Sequence, residues 1–283
     1  MTGLVTALKA ELYVARRSNA ARLLVLMPAL VVMLRAIIVR LSETGQQARD
    51  ALIGQGGPVT ADNAWGHLVD SFSVGLTMLG LMLVAYTAWS FASERDSGAL
   101  RHLLIRSASR GGVVLAKLAA AHLLALCALL VMTLGIIAVT TLLWDFGPVV
   151  EDGYELIGSA EIRSEVALGL KLALLPIPAA LAFSMLVAVC SQSATQAVTG
   201  ALGLTLALDI FKNLLGDAAY YLYATFQPSL LDQSYLQDVS RLVRGYSDVM
   251  IDNRALALNL WIPWPQMLLF VVLALLIVRK RKL

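Results

Sequence analysis

Side chains able to do chemistry are few and scattered in this 283-residue chain. His67, His102 and His122 are isolated, with no HExxH spacing to set two zinc ligands on one helix face. Cys127 and Cys190 fall in or at the end of apolar runs and form neither a CxxC pair nor a disulfide framework. No GxSxG turn presents a serine nucleophile. The nearest approach to a phosphate-cradling GxxxxGK[ST] loop, GGVVLAK at 111–117, lacks both the spacing and the hydroxyl after the lysine. The sequence predicts no catalytic residue, no metal site, no cofactor bound by this chain and no means of hydrolysing ATP alone.

Four charges, Arg35, Lys171, Asp209 and Lys212, lie inside otherwise apolar runs. An exposed charge at bilayer mid-depth costs at least about 2.5–3.5 kcal/mol, so each needs a partner or water. On the topology below all four fall in the outer half of the bilayer. Asp209 is then expected to pair with Arg35 or Lys171, leaving a net positive lining for an anionic headgroup or substrate. Purely structural pairing, or snorkelling of the long cations to the outer surface, is the competing account.

The elements that position these residues follow from composition. Hydrophobic residues make up 59% of the chain and charged residues 14%, the balance of an integral membrane protein with no room for a sizeable soluble domain. A span needs about 20 apolar residues, and six such runs occur, at 23–41, 68–92, 112–143, 166–190, 194–215 and 261–278. The predicted fold is all-α, a single polytopic transmembrane domain over 1–283. The third run is the longest and is expected to tilt or to project beyond the bilayer as a continuous helix.

Orientation comes from lysine and arginine, which are retained on the cytoplasmic side. Residues 1–22 carry four cations against Glu11, the segment 94–117 carries five against Glu94 and Asp96, and 279–282 is four cations in a row. The alternate loops are acidic: 145–165 holds six carboxylates and only Arg163, and 42–67 holds three against Arg49. Both termini are expected in the cytoplasm. Because the cations track that face, topology accounts for them without a nucleic-acid partner.

Two amphipathic segments flank the spans. Leu4, Leu8, Leu12 and Ala15 recur at helical spacing, with Lys9, Arg16 and Arg17 off that stripe, which suits an interfacial helix over 1–22; a plain charged lead-in is the alternative. The loop 216–260 is too long for a connector. Within it Leu231, Tyr235, Val239, Leu242, Tyr246 and Met250 recur every three to four residues, predicting a helix on the outer side that caps a cavity, docks a partner or lies on headgroups.

The charged island between the second and third spans reads FASERDSGALRHLLIRSASRGGVVLAK. Leu100, Leu103 and Leu104 fall on one face of a helix, with Arg101 and Arg106 turned off it. Ser93 can cap its start, Glu94 and Asp96 suit the positive end of the helix dipole, and Arg106 and Arg110 suit the other end. SASRGG then breaks it before the third span.

Here the chain resembles the type-2 ABC transporter permeases, the six-span membrane subunits of ABC exporters. Glu94, Arg95, Gly98, Leu100, Leu103, Leu104, Ser109, Arg110 and Lys117 match the order and spacing of that family's first cytoplasmic loop. Ala99, Ser107 and Ala116 depart from it, where threonine, proline and glycine are usual. The interfacial N-terminal helix, six spans and long last outer loop extend the resemblance over nearly the whole chain.

The resemblance implies that the loop 94–110 is a coupling helix seated in a separate ABC ATPase subunit, which binds the ATP and Mg. It implies that Glu94, Arg95, Asp96, Gly98, Leu100, Arg101, Leu103, Leu104, Arg106 and Arg110 serve that contact. It further implies a second permease chain as a homodimer partner, with membrane lipid around the pair. The basic loops and the lack of a targeting segment in the N-terminal stretch fit a bacterial inner membrane. Thr199, Gly203 and Ala207 on the fifth span would let two helices approach closely, between chains or within one. Two alternatives remain open: a mechanotransmitting subunit acting on an extracytoplasmic partner through 216–260, and an ion-coupled secondary transporter with Asp209 as relay.

Overall fold

The computed structural model describes residues 2–53, 63–100, 109–151, 154–246 and 253–280. In chain order come α1 (Thr2–Arg17), α2 (Asn19–Ile53), α3 (Ala64–Asp96), α4 (Arg110–Leu143), a hairpin of β1 (Val149–Glu151) and β2 (Tyr154–Ile157), α5 (Ser159–Leu174), α6 (Ile177–Cys190) and α7 (Ala194–Phe211). A 3-10 segment (Lys212–Tyr221) follows, then α8 (Tyr223–Phe226), α9 (Tyr235–Leu242), α10 (Asn253–Trp261) and α11 (Pro263–Lys280). Six helical segments among the described residues are long and apolar enough to cross a membrane. They contain the six predicted runs. α2 and α4, at 35 and 34 residues, are each about 50 Å long, well beyond the roughly 30 Å hydrocarbon core.

α3 is the central helix, packed against α2, α4, α6 and α7. Its start is pinned by Asn63, whose side chain accepts from Trp65 N–H at 3.2 Å and donates to the Gly147 carbonyl at 2.9 Å. Small residues bring neighbours close: a Cβ at Gly75 would lie 2.6 Å from Met132 Sδ. Ser184 on α6 donates to the Val84 carbonyl at 2.6 Å, a polar tie where both residues are buried.

The fourth span is broken at Leu175–Pro176, between α5 and α6. Pro176 has no N–H for the Leu172 carbonyl four residues back. Asn259 of α10 supplies the missing donor at 3.2 Å. This span is the most enclosed, with 67% of its apolar stretch buried, against 17% for each of the spans ending in Tyr221 and Lys280.

The structure revises three local expectations. α3 runs unbroken to Asp96, so Ser93, Glu94, Arg95 and Asp96 form its last turn and Ser93 caps nothing. Ser109 caps α4 by accepting from Gly112 N–H, and Arg110 is the first residue of that helix. The helix expected over 231–250 is only α9: Gly245 at φ 80 turns the chain, Leu231 and Tyr246 are exposed, and the buried face is Tyr235, Leu236, Val239 and Val243. Met250 lies outside the described residues. On α1 the buried positions are Ala7 and Ala15, with Leu4 and Leu12 exposed.

Candidate functional site

One end of the bundle gathers the basic segments. There the last turn of α3 is fastened to three other parts of the chain. Glu94 accepts from Lys117 Nζ on α4 at 2.7 Å, and Glu11 on α1 accepts from the same nitrogen at 2.9 Å. Lys117 is wholly buried, and the second oxygen of Glu94 is buried without a hydrogen-bond partner. Two carboxylates around one buried ammonium make a charge-assisted joint of α1, α3 and α4. Burial, the larger effect, raises the Glu11 carboxyl above its ordinary range, Lys117 pulls it partly back, and Glu94 adds to the rise.

Arg95 and Asp96 hold the link between α6 and α7. Arg95 Nη1 donates to the Ser191 carbonyl at 2.6 Å and to the Ala188 carbonyl at 3.4 Å. Asp96 Oδ2 accepts from Ala194 N–H, the first residue of α7, at 2.6 Å. Arg110 Nη1 reaches the Arg279 carbonyl on α11 at 3.3 Å. Gly98, at φ 76, turns the chain away from α3, and Leu100 is buried in this chain's own core among Phe91, Val114 and neighbours. Arg101, Leu103, Leu104 and Arg106 lie outside the described residues.

The stretch 111–117 is helical. It is the first part of α4, and its lysine is taken by two carboxylates.

At the opposite end, Asp209 near the C-terminus of α7 forms a second node. Its partner is Lys212, three residues on, at 2.9 Å, rather than Arg35 or Lys171. Ser229 donates to Asp209 Oδ1 at 2.6 Å, and the N–H groups of Leu230 and Leu231 donate to Oδ2 at 3.1 and 3.3 Å. Lys212 Nζ also reaches Ser229 Oγ at 3.2 Å. The i,i+3 spacing explains the choice of partner; Lys171 is exposed and Arg35 half-buried. Lys212 and Asp209 neutralise each other, so this pair adds no net charge to a lining there.

The segment after α8 is bound to α3 and α5 as well. Ser73 donates to Asp232 at 2.9 Å, Ser240 to Asp70 at 2.6 Å, Arg244 pairs with Asp70, and Tyr235 donates to Glu165 at 2.5 Å. Burial raises the Asp232 carboxyl, with hydrogen bonds from Ser234 and Ser73 opposing it. Sequence reasoning missed Glu11, Ser191 and Ser229. Ser229 and Ser191 carried no signal, while Glu11, the lone acid in a basic segment, did.

Together these features define an integral membrane protein of six apolar helices, whose first basic-end loop is rooted in a charged joint. A family model described as ABC-2 family transporter protein matches residues 5–278. The chain belongs to that family and is an ABC transporter membrane protein of the permease type. Neither the curated proteins nor the solved structures give a match.

Proposed function

We propose that this chain is the permease subunit of an ABC exporter, working as a homodimer with a separate ABC ATPase that holds the ATP and Mg. Its basic end, with both termini, faces the cytoplasm of a bacterial inner membrane, α1 lies in the interface, and 216–260 is extracytoplasmic. The observation that carries this reading is the rooting of the first loop. Glu94 binds Lys117 of α4, which also holds Glu11 of α1, and Arg95 and Asp96 bind the α6–α7 link, so a push on the loop from an attached ATPase reaches four helices at once. In this assembly Leu100 anchors the loop to the bundle, and Leu103, Leu104, Arg101 and Arg106 meet the ATPase.

The relay alternative for Asp209 is disfavoured because both its oxygens are already engaged by Lys212, Ser229 and two backbone N–H groups. The test is purification of the tagged chain from its own membrane. An ATPase is expected to come with it, and Leu103→Glu with Leu104→Glu is expected to release it. Retention of an ATPase whose turnover stays fully linked to the charged variant overturns the reading. An outer partner recovered without small-molecule flux would point to force transmission instead.

A further inference from the structure

We infer that α7 is a transmission rod, with Asp96 as its drive contact at one end and Asp209 as its output contact at the other. This rests on the proposed coupling of the first loop and says where that motion goes.

Three observations converge on α7. Its first N–H is held from outside the helix by Asp96, a residue of the loop's root, at 2.6 Å. Its far end holds Asp209, which binds the hydroxyl of Ser229 and the N–H groups of Leu230 and Leu231. Between them the 18-residue helix, about 27 Å long, crosses nearly the whole hydrocarbon thickness. Its fully buried residues in between are Ala197 and Ala201. Val198, Leu202 and Leu208 pack against the core only in part, so most of the tight contact is made by small side chains, which suits the shear motion by which packed helices move.

The load at the far end suits an output. Residues 227–231 include no regular helix, yet they sit against α3 and α7, where Thr77, Leu81, Thr205 and Gln227 share one small cavity with Asp209. Irregular backbone is tolerated beside membrane helices only where protein or water satisfies its polar groups. Asp209 satisfies two of those N–H groups, so displacing α7 displaces this segment or strips it of its partners. Asp96 and Asp209 are positioning residues, acting through the helix that joins them.

The test uses the complex purified with its ATPase, in a Cys127→Ser, Cys190→Ser background. Spin labels are placed at Leu142→Cys with Ile210→Cys, and at Leu142→Cys with Leu230→Cys; all three positions are exposed. Labelled chains are diluted with unlabelled ones. Vanadate-trapped ATP and Mg should shift both distances by about 2 Å or more. Asp96→Ala should abolish both shifts, and Asp209→Ala should abolish the Leu230 shift while the Ile210 shift remains. Ser229→Ala, a milder change, should reduce the Leu230 shift alone, and Asp96→Asn, which keeps an acceptor oxygen, should restore much of both.

An unchanged Ile210 shift in Asp96→Ala, or an unchanged Leu230 shift in both Asp209→Ala and Ser229→Ala, overturns the inference. So does a complex that turns over ATP while neither distance moves, with the coupling reading left standing. Failure to recover any ATPase removes that reading and this inference with it.

Discussion

Lys117 Nζ lies 2.9 Å from Glu11 Oε1, joining α1 to α4 inside the protein. With Glu94 on the other side, removing the ammonium leaves two carboxylates facing each other without a cation. Lys117→Met should therefore destabilise the chain by about 3–5 kcal/mol, the cost of breaking a buried pair from one side. Combining it with Glu11→Gln and Glu94→Gln removes the stranded charges and should recover most of the loss. Thermal unfolding in detergent measures both, and an equal loss in the triple variant would show that packing of the lysine stem, not charge, carries the joint.

The same joint has a pH signature. Burial holds the Glu11 carboxyl above its ordinary value of 4.5. A carboxyl whose folded-state value is raised binds its proton more tightly in the folded chain than in the unfolded one. Its stabilising contribution is complete below the ordinary value and is lost as pH rises through the raised one. The melting temperature of the unmodified chain should thus climb relative to that of Glu11→Gln as pH falls from neutrality toward 4.5. A difference that is flat or runs the other way contradicts the burial of Glu11.

Gly98 separates the end of α3 from the loop at φ 76. An L-residue with a Cβ pays about 1–2 kcal/mol in that region, although a Cβ there would meet nothing within 4 Å. Gly98→Ala should lower stability by about that amount through backbone strain alone. It should also lower recovery of the ATPase, because the loop leaves α3 at a different angle. Asn tolerates this conformation better, so Gly98→Asn should lie between the two in both measurements.

The six spans were legible in the sequence, because a hydropathy run over some 20 residues is a sum that single side chains barely alter. The ends of helices were not. Apolar character stops at Ala92, and the charged residues beyond it read as the start of something new. In the structure α3 continues through Asp96 because Lys117, the Ser191 carbonyl and Ala194 N–H meet those charges from distant parts of the chain. No local pattern announces such partners. Lys212 as the partner of Asp209, where Arg35 or Lys171 was expected, had a signal in the i,i+3 spacing that places the two side chains together. The hairpin was legible too: Asp152–Gly153 between runs of Val, Tyr and Ile is a turn signal, overridden by the expectation of helices alone.

Asn259 and Pro176 form a compensating pair that can be taken apart. Pro176 cannot donate to the Leu172 carbonyl, and the Asn259 side chain does so from α10 at 3.2 Å, with Asn259 itself buried. Asn259→Ala leaves a carbonyl without a donor in an apolar surrounding and should cost about 1–3 kcal/mol. Pro176→Ala in that background offers an N–H four residues along. Leu175 and Pro176 already have helical φ and ψ, so the new donor can close the helical bond without rearrangement. The double variant should be more stable than Asn259→Ala alone, a non-additivity that a double-mutant cycle on thermal unfolding measures directly. Additive losses would mean that the break between α5 and α6 is held by packing around Pro176, and that the Asn259 amide is incidental to it.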